Sequence, residues 1–179
     1  MKLKVLMIPL ALALLVAGCA QEEGETAKTE AGSEAEAHEG VAWMDYESGM
    51  AQAQAEGKYV LIDFWTDWCH WCKVLDERTY TQESVQTRLA ESFVAVKVDA
   101  ESREPQGKAG DAPTGVALAR NYGVQSYPTT WFLDTQGEPI APAPGFMEAE
   151  QLVIILDYVS TGAYKDQEFQ AYMKARSEG

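Results

Sequence analysis

The most constraining feature of this chain is a short apolar run that is followed closely by two cysteines. Residues 59–65 read Tyr-Val-Leu-Ile-Asp-Phe-Trp, a pattern that predicts a buried central strand. Cys69 and Cys72 follow, at the start of a helical pattern that runs to about Arg78. Cysteines at i and i+3 on a first helical turn lie on the same side, within disulfide reach. The sequence therefore predicts a cysteine pair at a strand-to-helix turn.

The position of the pair favours redox chemistry. Unpaired backbone N–H groups and the helix dipole stabilise a thiolate at Cys69 and lower its pKa below the usual ~8.5. We expect Cys69 to be accessible and to attack, and Cys72 to be shielded and to resolve. The alternatives are a structural disulfide, a zinc site or two inert core cysteines. A four-residue loop stabilises little, and zinc usually needs a second ligand pair where only His38 and His70 remain. No metal is expected.

Strand and helix patterns alternate along the rest of the chain. Strands are predicted at 59–65, 93–99 and 129–133, with a fourth, edge strand broken by Pro139, Pro142 and Pro144. Helices are predicted at 43–56, 69–78, 81–91, 116–122 and 148–160, with a last helix reaching Arg176 and a polar loop insertion at 101–115. This alternation indicates a three-layer α/β domain.

The N-terminus has the pattern of a processing signal. Lys2 and Lys4 precede an apolar stretch at 5–16 that is shorter than the ~20 residues a spanning helix needs. The residues Val-Ala-Gly-Cys that end at Cys19 resemble the lipobox of bacterial lipoproteins, in which the cysteine becomes the acylated N-terminus. We therefore expect residues 1–18 to be a signal peptide and Cys19 to be the lipidation site. The alternative is a secretory signal that happens to contain a cysteine.

An acidic segment separates Cys19 from the folded part. Residues 19–40 are rich in Glu, Ala, Gly and Thr and contain no aromatic side chain, so we expect a disordered tether. A frayed Ala/Glu helix is the alternative. The whole chain has 28 acidic and 14 basic residues and a net charge of -14. That balance argues against nucleic acid as a partner, because binding a phosphate backbone requires Lys and Arg.

Several segments resemble the thioredoxin superfamily, in the family's order. They are residues 60–73, with the motif Trp-Cys-His-Trp-Cys, and residues 96–99, 122–129 and 145–146. Within the superfamily the chain resembles the soluble domains of periplasmic thiol–disulfide interchange proteins and related thioredoxin-like lipoproteins. The resemblance implies a thioredoxin fold, with a central mixed sheet flanked by helices on both faces. We expect this domain at 41–163, followed by a C-terminal helix at 164–179. The chain departs from thioredoxin at His70-Trp71, where thioredoxin has Gly-Pro.

The resemblance also suggests residues that assist the cysteines. Asp63 matches the family's buried acid, which moves protons for the resolving cysteine, and burial is expected to raise its pKa. Lys97 matches a lysine near that acid. The alternatives are an Asp63 that faces water from a strand edge and a solvated Lys97.

Other residues are expected to bind substrate. Pro128 matches the family's cis-proline, which faces the cysteine pair and exposes the Tyr127 backbone to an extended substrate segment. Trp68 and Trp71 are candidates for an apolar rim, and the alternative is that at least one of them packs inside the domain. His70 is a candidate to stabilise the thiolate, or else is an exposed loop residue.

These expectations define an exported, lipid-anchored thiol–disulfide oxidoreductase that faces the periplasm. The favoured activity is reduction of disulfide-bearing protein substrates by Cys69 and Cys72, without a cofactor. A membrane thiol electron donor would then re-reduce the pair. The alternatives are an oxidase or isomerase of the same fold, and a non-catalytic thioredoxin-like binding or chaperone module.

Overall fold

A computed structural model describes residues 40–178 of the chain. The predicted signal peptide, the candidate lipidation site Cys19 and the tether up to residue 39 lie outside the described residues. Within residues 40–178, no helix combines the length and the apolar character that crossing a membrane requires.

Five strands form one mixed sheet. They are β1 (Trp43–Met44), β2 (Tyr59–Trp65), β3 (Phe93–Asp99), β4 (Thr129–Leu133) and β5 (Pro139–Pro144), in the order β1-β3-β2-β4-β5. β3 is parallel to both β1 and β2, whereas β4 is antiparallel to β2 and to β5. The register places Asp63 of β2 between Lys97 of β3 and Thr130 of β4.

Helices cover both faces of this sheet. They are α1 (Tyr46–Glu56), α2 (His70–Arg78), α3 (Glu83–Ser92), α4 (Gly115–Asn121), α5 (Ala149–Ser160) and α6 (Phe169–Glu178), with a short 3-10 helix at Ala163–Lys165. Because successive side chains of a strand point to opposite faces, Leu61 and Ile62 of β2 enter two different cores. Leu61 packs with α2, α3 and α5, and Ile62 packs in the core that contains residues of α1 and α4. The predicted three-layer thioredoxin fold is confirmed.

The predicted helix at 43–56 was wrong in its first part. Trp43 and Met44 form β1, which pairs with Ala95 and Val96 of β3, and the helix begins only at Tyr46. Asp45 ends the extended segment and caps α1, because its carboxylate accepts a hydrogen bond from the backbone N–H of Ser48. A two-residue strand depends on its partner for its hydrogen bonds, and its own sequence carries no periodic signal.

The other boundaries lie within two residues of their predicted positions, except at the C-terminus. β2, β3 and β4 have the predicted bounds, and Gly57 ends α1 in a left-handed conformation with φ 65°. After the 3-10 helix, α6 begins at Phe169 and packs its aromatic side chains against Tyr158 of α5.

The 101–115 insertion is a loop, as predicted, and contacts with the domain hold it near its middle and at its C-terminal end. Glu47 of α1 accepts a hydrogen bond from the Ala109 N–H at 2.9 Å, and the Glu47 N–H donates to the Gln106 carbonyl. At the C-terminal end, Gly115 starts α4 directly against β3. A Cβ at this position would lie 1.9 Å from the Asp99 carbonyl oxygen. The insertion is therefore fixed to the domain between α1 and the end of β3.

Candidate active site

The two cysteines lie at the start of α2, where β2 delivers the chain to the edge of the sheet. Cys69 is the N-cap of α2, with an extended backbone, and Cys72 lies in the first turn. The backbone N–H of Cys72 donates a hydrogen bond to Cys69 Sγ at 3.1 Å. The two residues form a disulfide with their Cα atoms 5.3 Å apart. The helix start thus directs an N–H group at the sulfur of Cys69, as the sequence predicts, and a donor there favours a thiolate.

The expectation that Cys69 is accessible was wrong for this disulfide form. Cys69 is 4% exposed and Cys72 is 1% exposed, so both sulfurs lie beneath the surface. This burial depends on the tertiary structure, which the spacing of the two cysteines does not reveal. Exposure in the disulfide form therefore does not separate an attacking from a resolving cysteine.

Two tryptophans beside the disulfide face solvent. Trp68 is 66% exposed and Trp71 is 54% exposed, although large apolar side chains are usually buried. The Trp68 ring lies 6.0 Å from that of Tyr127, and the Trp71 ring lies 5.6 Å from that of Phe146. Neither tryptophan is core packing. Two aromatic pairs therefore involve the residues that directly precede Cys69 and Cys72 in the chain.

Glu101 holds the first of these pairs in place and was not identified from the sequence. The Trp68 Nε1–H donates a hydrogen bond to the Glu101 carboxylate at 3.0 Å. Glu101 follows β3 at the beginning of the insertion, so the contact depends on how β3 and α2 are placed in the sheet. The adjacent Tyr127 hydroxyl has a raised pKa, chiefly because it is partly buried and also because Glu101 is negative.

The loop before β4 is hydrogen-bonded to the turn that follows β5. The Tyr127–Pro128 peptide bond is cis and Pro128 is buried, as the family resemblance implies. The Pro128 carbonyl accepts a hydrogen bond from the N–H of Gly145 at 2.8 Å. Gly145 has φ 89° and follows β5, so this bond fixes the turn that carries Phe146.

Asp63 is a buried acid in the central strand β2. It is 1% exposed, and its side chain points to the sheet face that α2 covers, together with that of Leu61. Its Oδ1 has no hydrogen-bond partner within residues 40–178. Burial raises the pKa of Asp63 from 3.8 to about 7, while Lys97 acts in the opposite direction. The reading of Asp63 as a strand-edge carboxylate in water is wrong.

Lys97 is not solvated either, and it has a partner that the sequence analysis missed. Its ammonium lies 3.6 Å from Asp63 Oδ2 and in closer contact with Asp76 Oδ1. Asp76 lies four residues after Cys72, on the same face of α2. That i+4 spacing is the signal from which Asp76 could have been found. A buried Asp63 carboxyl, a lysine and a second, partly exposed carboxylate therefore lie together between α2 and the sheet.

His70 is exposed at the first position of α2, with its ring 5.6 Å from that of Trp71. This contact places the imidazole beside the aromatic pair that Trp71 forms with Phe146. Stabilisation of a Cys69 thiolate by His70 stays a prediction.

The fold and this site together define the class of protein. A mixed sheet in which a cysteine pair begins the helix after the central strand is the architecture of thioredoxin-fold domains with a redox-capable disulfide. The chain belongs to the thioredoxin-like domain family, whose model matches residues 46–160.

Curated thiol:disulfide interchange proteins are among the relatives of this chain. The chain is 35% identical over 109 residues to the thiol:disulfide interchange protein DsbD of Vibrio cholerae, which covers 60% of this chain and 16% of that protein. It is 34% identical over 106 residues to the protein of the same name from Escherichia coli K12, covering 58% and 17%. The chain thus spans about one sixth of the length of these relatives.

Solved structures agree on the fold. A thioredoxin-fold protein from Helicobacter pylori superposes with a TM-score of 0.59 at 24% identity, covering 69% of this chain and 86% of that one. A thioredoxin from Thermus thermophilus gives a TM-score of 0.56 at 25% identity, covering 67% and 87%.

Proposed function

We propose that this protein is a membrane-anchored, extracytoplasmic thiol–disulfide oxidoreductase that reduces protein disulfides through Cys69 and Cys72. The observation that carries the proposal is the N-cap geometry of Cys69, whose sulfur accepts the Cys72 N–H at 3.1 Å while lying within bonding distance of the Cys72 sulfur. One sulfur is thus supplied with a donor that favours its thiolate, and the second is placed to displace it.

The first step begins from the reduced pair. The Cys69 thiolate attacks one sulfur of a substrate disulfide, and that S–S bond breaks. A mixed disulfide forms between Cys69 and the substrate, and the other substrate sulfur leaves as a thiolate that takes a proton from water. The N–H of Cys72 acts on the Cys69 sulfur before the attack, when that sulfur is negative.

The second step closes the protein disulfide. The carboxylate of Asp63 takes the proton of the Cys72 thiol, and the Cys72 sulfur attacks Cys69 Sγ. The mixed disulfide breaks and the second substrate thiolate leaves. Two electrons pass from the pair to the substrate, so the exchange requires no prosthetic group. A base whose pKa is about 7 suits this proton transfer at neutral pH.

The exposed aromatic pairs beside the two cysteines are an argument that the substrates are proteins. Trp68 with Tyr127, and Trp71 with Phe146, offer exposed apolar surface beside the buried disulfide. An extended segment that carries a cysteine fits between them, with its backbone beside Tyr127.

Direction and location are parts of the same proposal. A membrane thiol electron donor re-reduces the pair, and the similarity to thiol:disulfide interchange proteins supports this role. The lipobox-like sequence at Cys19 supports an acyl anchor that holds the domain at the periplasmic face of a membrane.

The test is to trap the intermediate. In a Cys72→Ala variant the second step is blocked, so mixed disulfides through Cys69 should accumulate and should disappear on reduction. The matched control is Cys69→Ser with Cys72 intact, which should trap none. If Cys72→Ala forms no mixed disulfide with a protein disulfide substrate, the exchange mechanism is wrong. A redox titration of the pair then decides the direction, since a low potential means a reductase and a high potential means an oxidant.

A further inference from the structure

The carboxylates of Asp63 and Asp76 both lie near the ammonium of Lys97. The Lys97 ammonium lies 3.6 Å from Asp63 Oδ2, which is beyond the usual distance of a hydrogen bond. It is hydrogen-bonded instead to Asp76 Oδ1. Register alone would direct Lys97 to Asp63, because the two residues are directly paired between β2 and β3. Helix α2 therefore supplies a second acid that takes the ammonium.

The position of the ammonium is enclosed on its other sides. Aromatic rings approach the Lys97 nitrogen from three elements, with centroids at 4.9 Å for Trp43, 5.6 Å for Trp65 and 6.0 Å for Tyr80. Attraction between a cation and these ring faces favours the ammonium in this space. Lys97 is therefore held between the two acids, and small changes at either acid decide which one it bonds.

The two carboxylates differ sharply in their contact with water. Asp63 is 1% exposed, whereas Asp76 is 38% exposed. The titratable groups that face Asp63 are Lys97 of β3, Asp76 of α2 and the buried Tyr80 hydroxyl just after α2. The negative charge of Asp76 raises the proton affinity of Asp63, whereas the Lys97 ammonium lowers it. Because Asp76 also hydrogen-bonds that ammonium, both effects of Asp76 make the Asp63 carboxylate a stronger base.

We propose that Asp76 is a positioning residue that draws the Lys97 ammonium off Asp63 and so keeps the Asp63 carboxyl able to accept the proton of Cys72. The proposal rests on the proposed function for its role in exchange. The arrangement itself does not, because the competition for Lys97 exists in the disulfide form. Without the charge at position 76, Lys97 closes on Asp63 and stabilises its carboxylate, which makes Asp63 a weaker base.

The experiment follows the titration of Asp63 in the purified protein with the disulfide intact. The variants are Asp76→Asn, Asp76→Glu as the conservative rescue, and Glu77→Gln as the control on the exposed side of α2. Carboxyl carbon NMR reports the midpoint of Asp63 directly. We expect Asp76→Asn to lower the midpoint by about one pH unit or more, a tenfold rise in the acid dissociation constant. Asp76→Glu and Glu77→Gln should leave it near the wild-type value.

A second measurement separates the role of Asp76 in exchange from its electrostatic effect. In single-turnover reactions at pH 8, where Asp63 is mostly ionised in both proteins, Asp76→Asn should slow resolution of the mixed disulfide by up to tenfold and leave the first attack by Cys69 unchanged. In a Lys97→Met background, Asp76→Asn should lower the Asp63 midpoint by clearly less than it does in the wild-type background. The reason is that the Lys97 ammonium, which the loss of Asp76 would release toward Asp63, is absent.

The outcomes distinguish the two proposals. If the midpoint of Asp63 is the same in Asp76→Asn and in the wild type, or if Lys97→Met does not reduce the effect, the positioning role is overturned whatever the activity. If the midpoint moves as expected but no protein disulfide is reduced, the positioning of Lys97 stands and the proposed function fails. If both the midpoint and the first attack change in Glu77→Gln, the effect belongs to α2 generally and the assignment to Asp76 is wrong.

Discussion

Replacing Asp63 by asparagine should change how the stability of the protein depends on pH. The folded protein holds the Asp63 proton more tightly than the unfolded chain does, because burial raises the pKa from 3.8 to about 7. Above pH 3.8 the unfolded chain loses this proton while the folded protein keeps it, so stability falls as the pH rises and levels off above about pH 7. At about 1.4 kcal/mol for each tenfold change in proton affinity, the full loss is ~4 kcal/mol, of which about 3 kcal/mol falls between pH 5 and pH 8.

Asparagine has nearly the same shape and no proton to lose. At pH 5 the variant and the wild type should therefore unfold with similar free energies, because Asp63 is mostly neutral in the folded protein. At pH 8 the variant should be more stable than the wild type. The difference in their free energies of unfolding should be roughly 3 kcal/mol larger at pH 8 than at pH 5. The assay is urea denaturation of the disulfide form at both pH values.

The matched control is Asp67→Asn, because Asp67 is an exposed acid four residues further along the chain. Its stability should follow the wild type at both pH values to within about 0.5 kcal/mol. If the difference between Asp63→Asn and the wild type is the same at pH 5 and pH 8, the Asp63 carboxyl does not hold its proton in the folded protein. The argument from burial would then be refuted.

Two further predictions concern the scaffold. Gly115→Ala should destabilise the protein by ~2 kcal/mol or more, because the new Cβ would lie 1.9 Å from the Asp99 carbonyl oxygen. Thermal unfolding measures this, with Gly110→Ala as the control, since a Cβ there would have no heavy atom of residues 40–178 within 4 Å apart from its chain neighbours. Equal effects of the two substitutions would contradict the prediction. Asp45→Ala should cost about 1 kcal/mol at pH 7 by removing the cap on the Ser48 N–H, whereas Asp45→Asn should retain most of it. Because that hydrogen bond lowers the Asp45 pKa from 3.8, the loss should become smaller in denaturation experiments as the pH falls below the folded value, and a loss as large in strong acid as at pH 7 would speak against it.

Elements with strong local signals were predicted closely. β2 and β3 are nearly uninterrupted apolar runs, and such runs specify buried strands wherever they lie. Gly57 marks the end of α1, because glycine adopts the left-handed backbone conformation there. The prolines of β5 mark it as an edge strand, because proline has no N–H to donate. β1 was missed because two residues cannot show a period, and only pairing with β3 makes them a strand.

The candidate site was predicted where it depends on neighbours in the chain. Cys69 and Cys72 meet because a helix brings positions i and i+3 together, whatever surrounds it. Glu101, Phe146 and Asp76 were missed as site residues, since each reaches the site from a different element.

The sequence by itself determined the chemistry that this protein can carry. A cysteine pair at a helix start after a buried strand follows from residue types and spacing, because backbone geometry over four residues is local. The tertiary structure alone decided that both sulfurs are covered, and that Lys97 bonds Asp76 in preference to its strand partner Asp63. Burial and the choice between two acids depend on distances between separate elements, and only the packing of α2 on the sheet sets those distances.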